Sequence, residues 1–179
     1  MSASQAPQSS SLQGSAHEVR CALPIGLPPE ELHRLWLDAR AQRVVMAQLA
    51  EVSASGDLWH WKAHAKWIGD VEWDSRIVVD DPGRRIAWQS TEGAELPNEG
   101  ELVFGPGRPG WGTEVRLTWR FDPPGGKLGD FVARLTHAPH AMGALVLRRF
   151  KSLAETGEVP TLEHNPTTRD DPDPYGAFE

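Results

Sequence analysis

The sequence predicts an α+β fold: a curved antiparallel sheet against a long C-terminal helix, with two short helices after the first strand. Three observations carry this. From residue 58 to residue 121 apolar and polar residues alternate in successive short runs, the pattern of strands covered on one face only. Near residue 30 and again beyond residue 128 the apolar spacing lengthens to three and four, which is helical. At 179 residues, 39% hydrophobic and 24% charged, the chain has the size for one domain with a real core and the composition of an ordinary soluble protein.

The elements follow in order. Val19, Cys21 and Leu23 alternate with Glu18, Arg20 and Ala22, a first strand. Pro28-Pro29-Glu30-Glu31 opens a helix, with proline in the first turn and carboxylates at the positive end of the dipole; Leu32, Leu35 and Trp36 share its apolar face. A second short helix around 40–47 is carried by Val44, Val45 and Met46. Strands then run through Trp59-Trp61-Ala63, Val71-Trp73-Ile77-Val79, Ile86-Trp88, Leu102-Phe104 and Val115-Leu117-Trp119-Phe121. Leu128, Phe131, Val132 and Leu135 return to helical spacing, Pro139 interrupts, and Met142, Leu145, Val146, Phe150 and Leu153 resume it. Arg148, Arg149 and Lys151 suit the negative C-terminal end of this helix, and Gly157 is placed to cap it.

The two ends differ from this middle. Residues 1–16 are rich in Ser, Gln and Ala, with too little apolar surface to offset ordering, and read as disordered. Residues 163–179 read as a flexible acidic tail, where Pro166, Pro172 and Pro174 oppose a helix. One folded domain therefore spans about 17–162. Trimming residues 1–16 and 165–179 is expected to leave the melting temperature nearly unchanged; a fall of several degrees in a thermal melt would show that an end joins the core.

The net charge of −7, without Lys/Arg clusters, argues against a nucleic-acid partner. No run is long enough to span a bilayer, and the N-terminus lacks the marks of a signal or transit peptide, so the expected location is cytoplasmic. The lone Cys21 excludes an internal disulfide, and on the inward phase of its strand it reads as an inert thiol. His60 and His64, four apart on a strand, stand roughly 13 Å apart and cannot share a metal. His137 and His140 have no carboxylate at helical spacing; no metal and no cofactor is expected, and solvated or lightly bonded histidines throughout. Gly105-Pro106-Gly107-Arg108-Pro109-Gly110 matches GxGxxG as a string, but a strand follows it, so it reads as a hairpin.

Several strings together resemble a known group: Val71-Glu72-Trp73-Asp74, Arg85-Ile86-Ala87-Trp88-Gln89-Ser90, Gly112-Thr113-Glu114-Val115-Arg116, Asp122-Pro123-Pro124-Gly125-Gly126, and Arg148-Arg149-Phe150-Lys151 through Glu155-Thr156-Gly157-Glu158. In this order the chain is similar to the bacterial polyketide cyclase/dehydrase-like family of the START-related (SRPBCC, helix-grip) superfamily, over about residues 17–161. The resemblance implies a strand, a helix pair, six strands and a long helix, that is, a curved antiparallel sheet of about seven strands wrapped on a long C-terminal helix. It also implies a hydrophobic cavity between sheet and helix, used across the superfamily for lipids, sterols, quinones and polyketides. The chain departs from the family's pattern at Val44-Val45-Met46 and at His137 and His140.

Eight Trp against five Phe and one Tyr is the most unusual feature. Trp59, Trp61, Trp73, Trp88 and Trp119 all fall on apolar phases, and indoles offer large area with a single N–H donor. With Phe104, Met142 and Val146 they are the candidate lining of the cavity. Glu72, Asp74 and Arg76 share the opposite, solvated face, and Glu92, Glu95 and Glu99 are placed in a loop. No inward acid/base set is visible. The expected function is binding of a hydrophobic small molecule; the alternatives are a polyketide cyclase, aromatase or dehydratase, and a lipid or quinone chaperone making transient contact with a membrane. The oligomeric state is left open.

Overall fold

The computed structural model describes residues 17–65, 69–122 and 139–159. The order is β1 (His17–Ile25), α1 (Pro29–Trp36), α2 (Ala39–Val45), β2 (Ala50–Ser55), β3 (Leu58–Ala65), β4 (Gly69–Asp81), β5 (Arg85–Ser90), β6 (Asn98–Pro106), β7 (Thr113–Phe121) and α3 (Pro139–Thr156). The seven strands form one sheet in the order β1-β7-β6-β5-β4-β3-β2, every neighbouring pair antiparallel. The chain thus sets its first strand beside its last and places β2 at the far edge. A register shift between Ile77 and Val79 puts a bulge in β4, a device that bends a strand and increases its twist. α3 packs chiefly on β1, with further contact to α1, α2 and β7. This is the helix-grip arrangement.

The helix starts follow from local chemistry. Pro28 and Pro29 open α1 ahead of Glu30 and Glu31. Asp38 caps α2, its Oδ1 accepting from the backbone N–H of Arg40 at 2.7 Å and of Ala41 at 3.1 Å. Such a cap contributes about 1 kcal/mol. The end of α3 is closed by Gly157, whose φ of 76° is left-handed and whose N–H donates to the Leu153 carbonyl.

Four details differ from the sequence reading. The strand that residue alternation did not locate is β2, an edge strand with only Val52 buried. Glu99 lies on β6, ion-paired with Arg120 at 3.1 Å, and is not in the loop. Leu145 is 40% exposed, and Leu147 takes its place in the core beside Val146 and Phe150. Gly143, where α3 touches β1, sets that stripe at 143, 146, 147 and 150. Arg149, one residue from the exposed Arg148, is buried. Its Nη1 donates to the carbonyls of Val45 (3.1 Å) and Ala47, and its Nη2 donates to Gln48 Oε1 at 3.4 Å. It therefore serves the open C-terminal carbonyls of α2 instead of those of its own helix.

The helix expected over Leu128–Leu135, the disordered segment 1–16 and the tail 163–179 lie outside the described residues.

Candidate functional site

The face of the sheet turned toward the helices is paved with indoles. Trp61 on β3 stands opposite Trp73 on β4, their rings nearly parallel (7°) with centroids 6.2 Å apart; Trp59 continues the stack at 6.1 Å from Trp61. On the other side, Gly100 on β6 lies between Trp88 on β5 and Trp119 on β7 in register. The Trp88 ring lies across this glycine, where an added Cβ would come within 2.3 Å of Cζ2. That gap lets Trp88 and Trp119 meet edge to face at 6.2 Å, a favoured geometry for aromatic pairs. The helices add Trp36, 6.0 Å from Trp88 and edge-on to Phe150 at 5.0 Å.

Two neighbouring chambers lie within these walls. The first, about 20 Å³ accessible to the centre of a water molecule, is lined by Trp36, Trp59, Trp61, Trp88 and Trp119 with Leu37, Gln42, Met46, Ser75, Ile77 and Leu117. The second, about 120 Å³ by the same measure, is lined by Trp61, Trp73, Trp119, Phe121 and Met142 with Met46, Gln48, Leu49, Ala50, Ala63 and Leu96. Met46, Trp61 and Trp119 are walls of both. Met46 is the partition most able to move, because an unbranched thioether with three rotatable bonds repacks easily. Side-chain rearrangement there would join the two spaces.

Among the described residues, every buried polar group at this site is neutral. Trp61 Nε1 donates to Ser75 Oγ at 2.8 Å, and Trp119 Nε1 to Asn98 Oδ1 at 3.3 Å. Asn98 Nδ2 donates in turn to the Leu96 carbonyl at 2.8 Å, and Gln42 Nε2 to the Trp36 carbonyl at 2.7 Å. Among the described residues, none that lines either chamber is Asp, Glu, His, Lys, Arg, Cys or Tyr. The arrangement can hold a flat apolar molecule and orient it through a few hydrogen bonds. Among the described residues no lining side chain would move a proton near neutral pH.

Of the residues expected at the cavity, Trp59, Trp61, Trp73, Trp88, Trp119 and Met142 border one chamber or both. Phe104 and Val146 are buried outside them, Phe104 against the His33 ring at 5.9 Å. Sequence reasoning missed Trp36, Gln42, Met46 and Ser75 as lining. The signal for Gln42 was present: it stands three residues before Val45 and four before Met46, a polar side chain on an apolar helical face.

Other candidates sit elsewhere. His33 is buried, and of the two states expected for the histidines it is the hydrogen-bonded one and not the solvated one. Its Nδ1 accepts from the Gly83 N–H at 3.3 Å, so Nε2 carries the proton donated to Asp80 Oδ1 at 2.7 Å. His60 bonds Asp74 at 2.8 Å on the outer face, where Lys62 also pairs with Asp70 and Glu72. The side chains of His64 and His140, and all of His137, lie outside the described residues. Among the described residues no three His, Cys, Asp or Glu converge as metal ligands would. Cys21 faces α3 with its thiol pKa pushed up by burial. The glycine-rich stretch 105–110 joins β6 to β7 as a hairpin, closed by the Gly107 N–H donating to the Gly112 carbonyl at 3.1 Å. Among the described residues no helix is long and apolar enough to cross a membrane.

No protein-family profile matches the chain, and no curated protein matches it. Solved structures do. A Deinococcus radiodurans protein is 31% identical over 79% of this chain and 99% of its own, with a TM-score of 0.62. The Zhui aromatase/cyclase from a Streptomyces is 14% identical over 81% of this chain and 99% of its own, at a TM-score of 0.57. The di-domain aromatase/cyclase StfQ of the steffimycin biosynthetic pathway is 15% identical over 78% of this chain and 51% of its own, at a TM-score of 0.56. At those identities Zhui and StfQ share the fold.

Proposed function

The chain belongs to the START-related helix-grip superfamily, in its bacterial polyketide cyclase/dehydrase-like family, and from that premise we propose that it binds a hydrophobic small molecule in the tryptophan-walled chambers. Lipid, isoprenoid quinone and polyketide-like molecules are the candidate classes. The observation that carries this is the lining itself: five indoles around the first chamber, with no titratable side chain among the described residues that line it. Burying an apolar ligand needs shape and area, at about 25 cal/mol per Å² of apolar surface removed from water. Acid–base catalysis needs a donor or acceptor within hydrogen-bond reach at a suitable pKa. The kinship in fold with Zhui and StfQ, both aromatase/cyclases, supports catalysis as the second reading.

Indole emission reports local polarity, so a ligand entering between Trp59, Trp61, Trp88 and Trp119 is expected to shift or quench intrinsic fluorescence saturably. The titration uses long-chain lipids, isoprenoid quinones and polycyclic aromatic polyketides, beside a turnover assay on a poly-β-ketone mimic. Quenching without turnover supports the binder. Turnover above the spontaneous rate, abolished by one inward polar substitution, replaces it with the cyclase. No response to any class overturns both.

A further inference from the structure

Among the described residues, a single buried side-chain nitrogen or oxygen has no hydrogen-bond partner: Gln42 Oε1, on a residue 2% exposed. The orientation of the amide is fixed by its neighbour. The Trp36 carbonyl can only accept, so the atom 2.7 Å from it is Nε2, and Oε1 is the atom left over. Gln42 lines the first chamber together with Trp61 and Trp119, whose N–H groups are already spent on Ser75 and Asn98. An acceptor kept dry without a donor is costly, and native proteins carry few of them.

Resting on the binding reading above, we propose that Gln42 Oε1 receives a hydroxyl of the ligand, so that the site selects a hydroxylated flat aromatic ring, a phenol, over the same ring without a donor. Ser75 completes the recognition. Its Oγ accepts from Trp61, which leaves its own proton to give, and it lines the same chamber. A phenolic oxygen both donates and accepts, so it suits an acceptor from α2 and a donor from β4 that line one chamber. A quinone carbonyl or an acyl chain has no proton for Gln42. The stacked Trp59 and Trp61 and the edge-on Trp88 and Trp119 supply ring surfaces that match an aromatic plane better than a flexible chain.

The test is calorimetric titration of the full chain with 2-naphthol and 2-methoxynaphthalene, which share a ring system and differ in the donor. Wild type is expected to favour 2-naphthol about tenfold, the scale of one buried hydrogen bond together with the acceptor otherwise left unpaired. Gln42→Leu is expected to abolish that preference while keeping its affinity for 2-methoxynaphthalene. Gln42→Met, with the same readout, serves if the leucine variant fails to fold. Equal wild-type affinities, which would mean that water satisfies Oε1, overturn the proposal and leave the binding reading standing. A preference that survives both substitutions overturns it as well. Binding of neither naphthalene overturns it too, whereas the binding reading falls only if the lipids, quinones and polyketides also give no response. A short-chain ubiquinol and 1-hydroxyanthracene separate the two sources of such a phenol: the one with the larger Gln42-dependent gain names the source.

Discussion

Phe150→Ala is expected to cost about 3–5 kcal/mol of folding stability, while Arg148→Ala changes it by less than about 0.5 kcal/mol. The two residues are two apart on α3 but on opposite faces. Phe150 is wholly buried and meets the Trp36 ring edge-on at 5.0 Å, whereas Arg148 is exposed. Truncating the phenyl ring removes its transfer energy and leaves a cavity between α1 and α3 that the backbone fills only in part. A domain of this size has about 5–15 kcal/mol in total, so the variant should unfold at distinctly lower urea. The loss reaches the site as well, because Trp36 leans on Phe150 from one side and Trp88 from the other. The folded Phe150→Ala protein should therefore differ in tryptophan emission even before urea is added. Equal urea midpoints for the two variants would mean that the buried stripe of α3 is assigned to the wrong face.

How much of this was legible in the sequence depended on how strongly local pattern and tertiary environment agree. β7 alternates without a break from Val115 to Phe121, and the structure buries every apolar residue of that phase. Such a strand lies between two others with one face on the core, so period-two patterning is enforced at each position. β2 is an edge strand of Ala50-Glu51-Val52-Ser53-Ala54-Ser55 in which only Val52 is buried, so there was almost no alternation to read. Its existence came from the resemblance, and its position from the structure. Charge was the weakest guide. Arg149 looked like one more cation suited to the end of its own helix, but its partners, the carbonyls of Val45 and Ala47, lie more than a hundred residues away in sequence. The indoles were assigned by phase, whereas the helical residues that complete the chambers, Trp36, Gln42 and Met46, depend on how α1 and α2 dock. Docking angles are not written in local periodicity.

Gly143→Ala is expected to destabilise the protein by about 1–3 kcal/mol, against the ordinary preference of helices for alanine. Glycine inside a helix normally costs about 1 kcal/mol relative to alanine, so the same change on an exposed face would stabilise. Here α3 crosses β1 so closely that an added Cβ would stand 2.2 Å from Cys21 Sγ and 2.7 Å from Val19 Cγ1. Both distances are far inside van der Waals contact, so helix or strand must move. Because α3 also carries Met142 to the second chamber and Phe150 to Trp36, a displaced helix would reshape the cavity from above. A double-mutant cycle with Cys21→Ala isolates the cause. Removing Sγ relieves the closer of the two contacts, so the pair should be more stable than the sum of the single effects predicts, by about 0.5–3 kcal/mol. Thiol chemistry gives an independent readout. Burial raises the Cys21 pKa, which keeps the thiolate scarce at neutral pH and its reaction with a disulfide reagent slow. Lifting α3 off β1 in Gly143→Ala exposes Cys21, brings its pKa back down and speeds that reaction. An alanine variant as stable as the wild type, with Cys21 no more reactive, would place α3 farther from β1 than this close crossing requires.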